Sequence, residues 1–100
     1  VPSARLAPAA RDDLRDIRIY SKAAFGPVAT RAYMAGLRAV FDLLVQHSFV
    51  GVAESDLGKD IRSHGFRSHR VYYRKDDGGV LIVRILHHTR DVPRAIGGGA

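Results

Sequence analysis

The sequence predicts an α+β domain in the order β-α-α-β-β-β, a helical hairpin packed on one face of a mostly antiparallel sheet. Three observations lead there. Apolar residues recur at helical spacing from Ala10 to Leu44, and a Gly26-Pro27 step divides that helical stretch in two. Beyond it, Arg70–Arg74 and Val80–Leu86 read as β-type runs about Asp76-Asp77-Gly78-Gly79, whose residues tolerate the positive φ of a tight hairpin turn. Paired helices followed by a run of strands form one layer against another.

Taken in order, Arg5-Leu6-Ala7 is expected to be a short first strand with a distant partner. Pro8 suits the first helical position, where its missing N–H costs nothing, although Ala7 is a poor N-cap. Asp12 and Asp13 suit the positive end of the helix dipole. Ala10, Leu14, Ile17 and Tyr20 or Ser21 mark the buried face of the first helix, with Arg11, Arg15, Arg18 and Lys22 largely elsewhere. That helix should end near Phe25-Gly26, with Gly26 just past its last turn. Pro27 then opens a second helix running to about Gln46, with Tyr33, Leu37, Val40, Phe41 and Leu44 on its core stripe. Ser48–Lys59 reads as a connection and Ile61–His64 as a further strand, with Gly65 allowing a turn or bulge. Asp91 is placed to cap a short turn before Pro93, and residues 97–100 read as a tail.

A chain of 100 residues with 46% hydrophobic content is long enough to bury one core, so 1–100 is read as a single domain. Cysteine is absent, which excludes disulfides, thiolate metal sites and a cysteine nucleophile and fits a reducing cytoplasm. No apolar run approaches a membrane span, and no apolar h-region follows Val1, so no secretory signal is expected. The net charge of +6 makes anionic partners plausible. Between Lys59 and Lys75 the cations Lys59, Arg62, Arg67, Arg70, Arg74 and Lys75 face Asp60 alone.

The chemistry open to that segment is limited. His64, His69, His87 and His88 lack metal-ligand spacing, since the adjacent His87 and His88 point to opposite faces of a strand. No metal and no cofactor is expected. Ser68-His69 has no nucleophile elbow, and Gly78-Gly79 sits in a hairpin rather than between a strand and a helix. Histidines for proton transfer, with Arg70 and Arg90 for charge, would be the minimum for cutting RNA. The simpler expectation is that the histidines close hydrogen bonds at strand ends, and that Tyr72 and Tyr73 point to opposite faces, one inward and one outward. Arg84 interrupts an otherwise apolar strand, and a buried charge is costly unless paired, so its expected role is structural, paired with Asp12, Asp13 or Asp16.

The pattern Ala10, Asp13, Leu14, Ile17 and Tyr20 is followed by Phe25-Gly26, an aromatic-containing second helix, Gly58 and Ile61-Arg62. Then come Ser68-His69-Arg70-Val71-Tyr72-Tyr73-Arg74, Val83-Arg84-Ile85-Leu86-His87 and Arg90-Asp91. Together, from Arg5 to about Ile96, these resemble ParE toxins of the ParE/RelE superfamily, the toxic half of bacterial type II toxin–antitoxin pairs. The resemblance implies a cytoplasmic, non-enzymatic toxin that inhibits DNA gyrase and is neutralised by a ParD-like antitoxin. RelE-like relatives instead cut mRNA on the ribosome with lysines, arginines and a C-terminal tyrosine. Arg70 and Arg90 match the arginine positions, whereas Ile61–His64 holds no lysine and no tyrosine follows Tyr73. On this reading Arg62, Arg70, Arg74 and Arg90 contact the antitoxin or the target, and direct binding to nucleic acid is not expected.

Overall fold

The protein is described from a computed structural model over residues 1–89. Five strands form one sheet in the order β1-β5-β4-β3-β2, covered on one face by the helical segment α1. The elements are β1 (Ser3–Leu6), α1 (Pro8–Gln46), β2 (Val52–Ala53), a single 3-10 turn (Ser55–Leu57), β3 (Arg62–Phe66), β4 (His69–Asp76) and β5 (Gly79–His87). β1 runs parallel to β5 and every other neighbouring pair is antiparallel. The positions expected at residues 90–100, including Arg90, the cap at Asp91 and the tail, lie outside the described residues.

α1 is one helical stretch interrupted at Gly26, whose φ of 89° and ψ of 172° leave the helix. A straight helix of 39 residues would be about 58 Å long, yet the longest dimension of the molecule is 38 Å. The chain therefore folds back at Gly26. Glycine tolerates that φ without a Cβ penalty, Pro27 restarts the helix, and the Thr30 hydroxyl donates to Gly26 O at 2.8 Å. Both halves present buried residues to the sheet: Ala10, Ile17 and Ser21 before the bend, and Thr30, Leu37, Val40, Phe41 and Leu44 after it. Tyr20, one of two candidates for the inward position, is exposed and Ser21 is buried. Ala7 caps the helix without a side-chain bond, as expected of alanine. No acid occupies the first turn, so Asp13 is not a dipole cap; its partner lies on β5.

The sheet departs from simple alternation at one place. Tyr72 pairs with Arg84 and Tyr73 with Ile82, so Val83 is an extra residue in β5. This bulge lets Val80, Ile82 and Ile85 all join the core beneath α1, although 82 and 85 are an odd number apart. Val71 and Tyr73 of β4 complete that layer. Tyr72 points to the opposite face, but it is not solvent-facing. It is buried with Ile61 and Leu86 in a second small cluster flanked by Leu57 and Val83. The Ser48–Lys59 connection thus contributes both the short edge strand β2 and a partial lid over the outer face.

At the β4–β5 turn, Asp76 pairs with Gly79 and accepts from Gly78 N–H at 2.9 Å. Gly79 has φ of 131°, and a Cβ there would lie 2.1 Å from Ser3 O, so β1 approaches too closely for any other residue. Arg5 of β1 forms an ion pair with Asp76, tying the first strand to the turn.

Candidate functional site

The arginines expected to face a partner are distributed unequally. Arg62 of β3 folds back on the preceding connection, donating to Gly51 O at 2.7 Å and Phe49 O at 3.3 Å, with its guanidinium 5.0 Å from the Phe49 ring. Arg70 of β4 donates from Nε to Ser63 Oγ at 2.7 Å, and Ser63 in turn donates to Glu54 at 2.6 Å. Ser63 is fully buried, so this chain closes its polar group and holds Arg70 4.0 Å from the Glu54 carboxylate. Arg74 is exposed beside the β4–β5 turn, in a shallow depression with Arg5 and Lys75. Arg90 lies outside the described residues.

Arg84 has a different setting. β1 ends at Leu6, opposite Ile82, and leaves the following edge of β5 without a strand neighbour. Asp13 of α1 fills that place. Its carboxylate accepts from Arg84 Nε at 2.7 Å and Nη2 at 2.9 Å, and from Ile85 N–H at 2.9 Å. Both side chains are largely buried, at 15% and 11% exposure. The contact raises the arginine pKa further, led by its hydrogen bonds to Asp13. This fork-to-carboxylate geometry is the strong form of an ion pair, and it fixes the first half of α1 against the sheet.

A second concave surface lies away from the hairpin turn. It is a groove of about 700 Å³ between the bend of α1 and the ends of β4 and β5. Ile17, Tyr20, Phe25, Ala29 and Ala32 form its helical wall, and His69, Ile85 and His87 its sheet wall. Tyr20 and Phe25 are each 68% exposed, their rings edge-to-face at 6.4 Å. Their apolar faces are therefore open to a ligand.

Histidines line the mouth of this groove. Tyr33 Oη and His69 Nδ1 share a hydrogen bond of 2.6 Å. His69 is directly opposite His87 across the strands, ring centroids 5.5 Å apart, and His87 contacts His88 at 4.3 Å. Burial, then the neighbouring His87 and His88, push the His69 pKa below its ordinary value. His87 Nδ1 also bonds Thr89 Oγ1 at 2.9 Å. His69 and His87 are thus hydrogen-bonded at strand ends. Among the described residues, no group of three or more metal-ligating side chains converges, and no helix is long and apolar enough to cross a membrane.

Sequence reasoning missed the groove because its walls come from segments up to 74 residues apart, Asp13 to His87. Its one local signal was Phe25, an aromatic directly before a chain reversal, where burial in the core is difficult.

Two comparisons give the family and a third gives the fold. The family model for the ParE toxin of the type II toxin–antitoxin system, parDE, matches residues 4–92. Toxin ParE1 of Caulobacter vibrioides is 30% identical over 93 residues, covering 93% of this chain and 96% of that protein. A solved structure described as the chromosomal ParDE TA system from P. aeruginosa superposes with a TM-score of 0.72 at 17% identity, over 86% of this chain and 95% of that one. It shares the α+β fold. With a matching family model across nearly the whole chain, this protein belongs to the ParE toxin family of type II toxin–antitoxin systems.

Proposed function

We propose that this toxin inhibits DNA gyrase without enzymatic chemistry of its own and is held silent by a ParD-like antitoxin. The single observation that carries the antitoxin reading is the open groove at the bend of α1, with the exposed Tyr20 and Phe25 at its wall. An amphipathic antitoxin segment can place apolar side chains there, as helix-in-groove recognition does. Its acidic residues would meet the cations proposed as contacts, Arg62, Arg70, Arg74 and Arg90. Among the three that are described, Arg74 is the most available, because Arg62 and Arg70 already hold partners within the chain. Gyrase inhibition rests on family membership, and the ParDE pairing of the structural relative supports the antitoxin.

The test is a supercoiling assay with gyrase and stoichiometric purified toxin. Loss of supercoiling, restored by adding the cognate antitoxin, is the expected result. Unchanged supercoiling and unchanged cleavage-complex levels would remove gyrase as the target. One observation favours a second reading, a RelE-like ribosome-dependent mRNA endoribonuclease. His69, whose lowered pKa favours the neutral form, faces the groove beside Tyr33, as a general base would. Toeprinting separates the two: cuts in the ribosomal A site, abolished by Arg70→Ala, would replace the gyrase reading.

A further inference from the structure

We infer, against the expectation from the sequence that the chain makes no direct contact with nucleic acid, that the outward flank of the first helical half, formed by Arg11, Arg15, Arg18 and Lys22, is a docking surface for the phosphate backbone of duplex DNA. At 3.6 residues per turn, these positions fall within an arc of roughly 60° and rise about 16 Å along the axis. All four side chains are exposed. Arg15 meets Asp12 at 3.3 Å, but both are more than 60% exposed, and such a pair contributes little. The side chains of Arg11, Arg18 and Lys22 have no hydrogen bond or ion pair among the described residues.

The acids of the same helix do not cancel this row. Asp12, Asp13 and Asp16 are rotated from it by roughly a quarter to a half turn. Asp13 is already neutralised by Arg84, and Asp16 lines the groove on the other flank. Asp13 and Asp16 therefore lie toward β5 and the groove, the cations occupy the remaining flank, and Asp12 sits between them, exposed beside Arg15.

The chemistry of the row favours phosphate over an acidic protein. Three of its four members are arginines, whose planar fork matches phosphate oxygens. A protein interface needs apolar anchors at its centre, and the row holds none; exposed Ile19 lies beside it rather than within it. Regularly spaced cations without anchors suit a sequence-independent backbone contact.

The test is fluorescence anisotropy of a labelled 20-base-pair duplex with the purified toxin, titrated across salt. The assay contains neither gyrase nor antitoxin, so its result stands apart from the target proposed above. The toxin should bind in the micromolar range at low salt, with log K falling against log salt at a slope of about −3 to −4 for four phosphate contacts. The triple variant Arg11→Gln, Arg18→Gln, Lys22→Gln should lose at least tenfold in affinity at 50 mM salt and about 2 to 3 from the slope. Arg11→Lys with Arg18→Lys, which keeps the charge, should retain the slope. A control of equal charge loss on the sheet side, Lys59→Gln, Arg67→Gln, Lys75→Gln, should bind within about twofold of the parent. Circular dichroism of each variant checks that it is folded. Absence of binding by the parent overturns the proposal. So does an equal loss in the control, which would assign the binding to net charge, or equal competition by polyglutamate of matched charge, which would assign the row to an acidic protein.

Discussion

On the sheet, Arg5, Arg62, Arg70 and Arg84 each commit their guanidinium to the chain itself, on Asp76, Gly51 O, Ser63 and Asp13. On the first half of α1, Arg11, Arg18 and Lys22 commit to nothing among the described residues. Both sets are cationic. They differ in geometry. Strand ends, the outer lid and the edge of β5 bring carbonyls, a hydroxyl and carboxylates within reach of these four sheet arginines, while Arg74 of β4 stays exposed. A regular helix has satisfied its interior backbone groups already, so cations on its outer flank find only other side chains. Density of positive charge along the sequence is therefore a poor guide to which cations remain available to a partner.

The contrast breaks most sharply at Asp13. Removing its carboxylate leaves Arg84 largely buried and takes the acceptor from Ile85 N–H. Asp13→Ala should destabilise the fold by about 3 kcal/mol, because one carboxylate serves both Nε and Nη2 of a largely buried arginine and the Ile85 N–H. Urea unfolding measures this. A loss below about 1 kcal/mol would mean that solvent reaches Arg84 and that the ion pair does not anchor the helix. The effect of Arg84→Met should be smaller, since the Asp13 carboxylate still accepts from Ile85 N–H and can take up a proton.

A second break lies at Tyr73. Its hydroxyl accepts from Gly51 N–H at 2.9 Å and donates to Ser48 O at 2.9 Å, pinning the connection that carries β2 and the Arg62 acceptors. Tyr73→Phe leaves a buried N–H without a partner and should cost about 1–2 kcal/mol. Faster amide exchange should appear at Gly51 and spread to β2. Unchanged exchange there would show that Arg62 alone holds the segment.

What was legible in the sequence follows from the range of the interactions. The helical stripe, the bend at Gly26-Pro27 and the Asp76–Gly79 turn are local in period or backbone conformation, and the structure places them as expected. The requirement that Arg84 meet a carboxylate is also readable, because desolvation demands it wherever the partner lies. Other features depend on contacts that no local pattern encodes. β2 exists because Tyr73 and Arg62 hold residues 48–53 against β3. The Val83 bulge is what reconciles an apolar run with one core-facing side. The burial of Tyr72 depends on Leu57 and Ile61 returning over the outer face. The groove, and the engagement of Arg62 and Arg70 that reduces their availability to a partner, are long-range in the same way.

Acidification provides a third, smaller perturbation, felt at the groove. His69 is the relevant group, faced by Tyr33 from α1, by His87 and His88 from β5 and its end, and by Asp13 at longer range. Its folded pKa lies below the ordinary value near 6.5, so the unfolded chain binds more protons through that window. Stability should therefore be full above about 6.5 and decline as pH falls from there through the lower folded value. His69→Gln should flatten that part of the profile. A parent profile that is flat between pH 7 and 5, or a decline of the same size in the variant, would assign acid sensitivity to another group.

The smallest effect is expected on the helix row, and it sharpens the comparison. A cation that makes no contact contributes little to stability, so Arg18→Gln and Lys22→Gln should each shift the unfolding free energy by less than about 0.5 kcal/mol. Arg15→Gln should do the same despite its contact with Asp12, since an exposed i,i+3 pair contributes only about 0.3–0.5 kcal/mol. Raising salt should erase even that difference, while the deeply seated Asp13–Arg84 pair stays insensitive. Denaturant midpoints at low and high ionic strength report both responses in one series. If a row substitution costs more than about 1 kcal/mol, the side chain supports the helix and is not a free contact. Stability that is indifferent to these three substitutions shows that the fold does not depend on the row, which leaves its side chains available for contact.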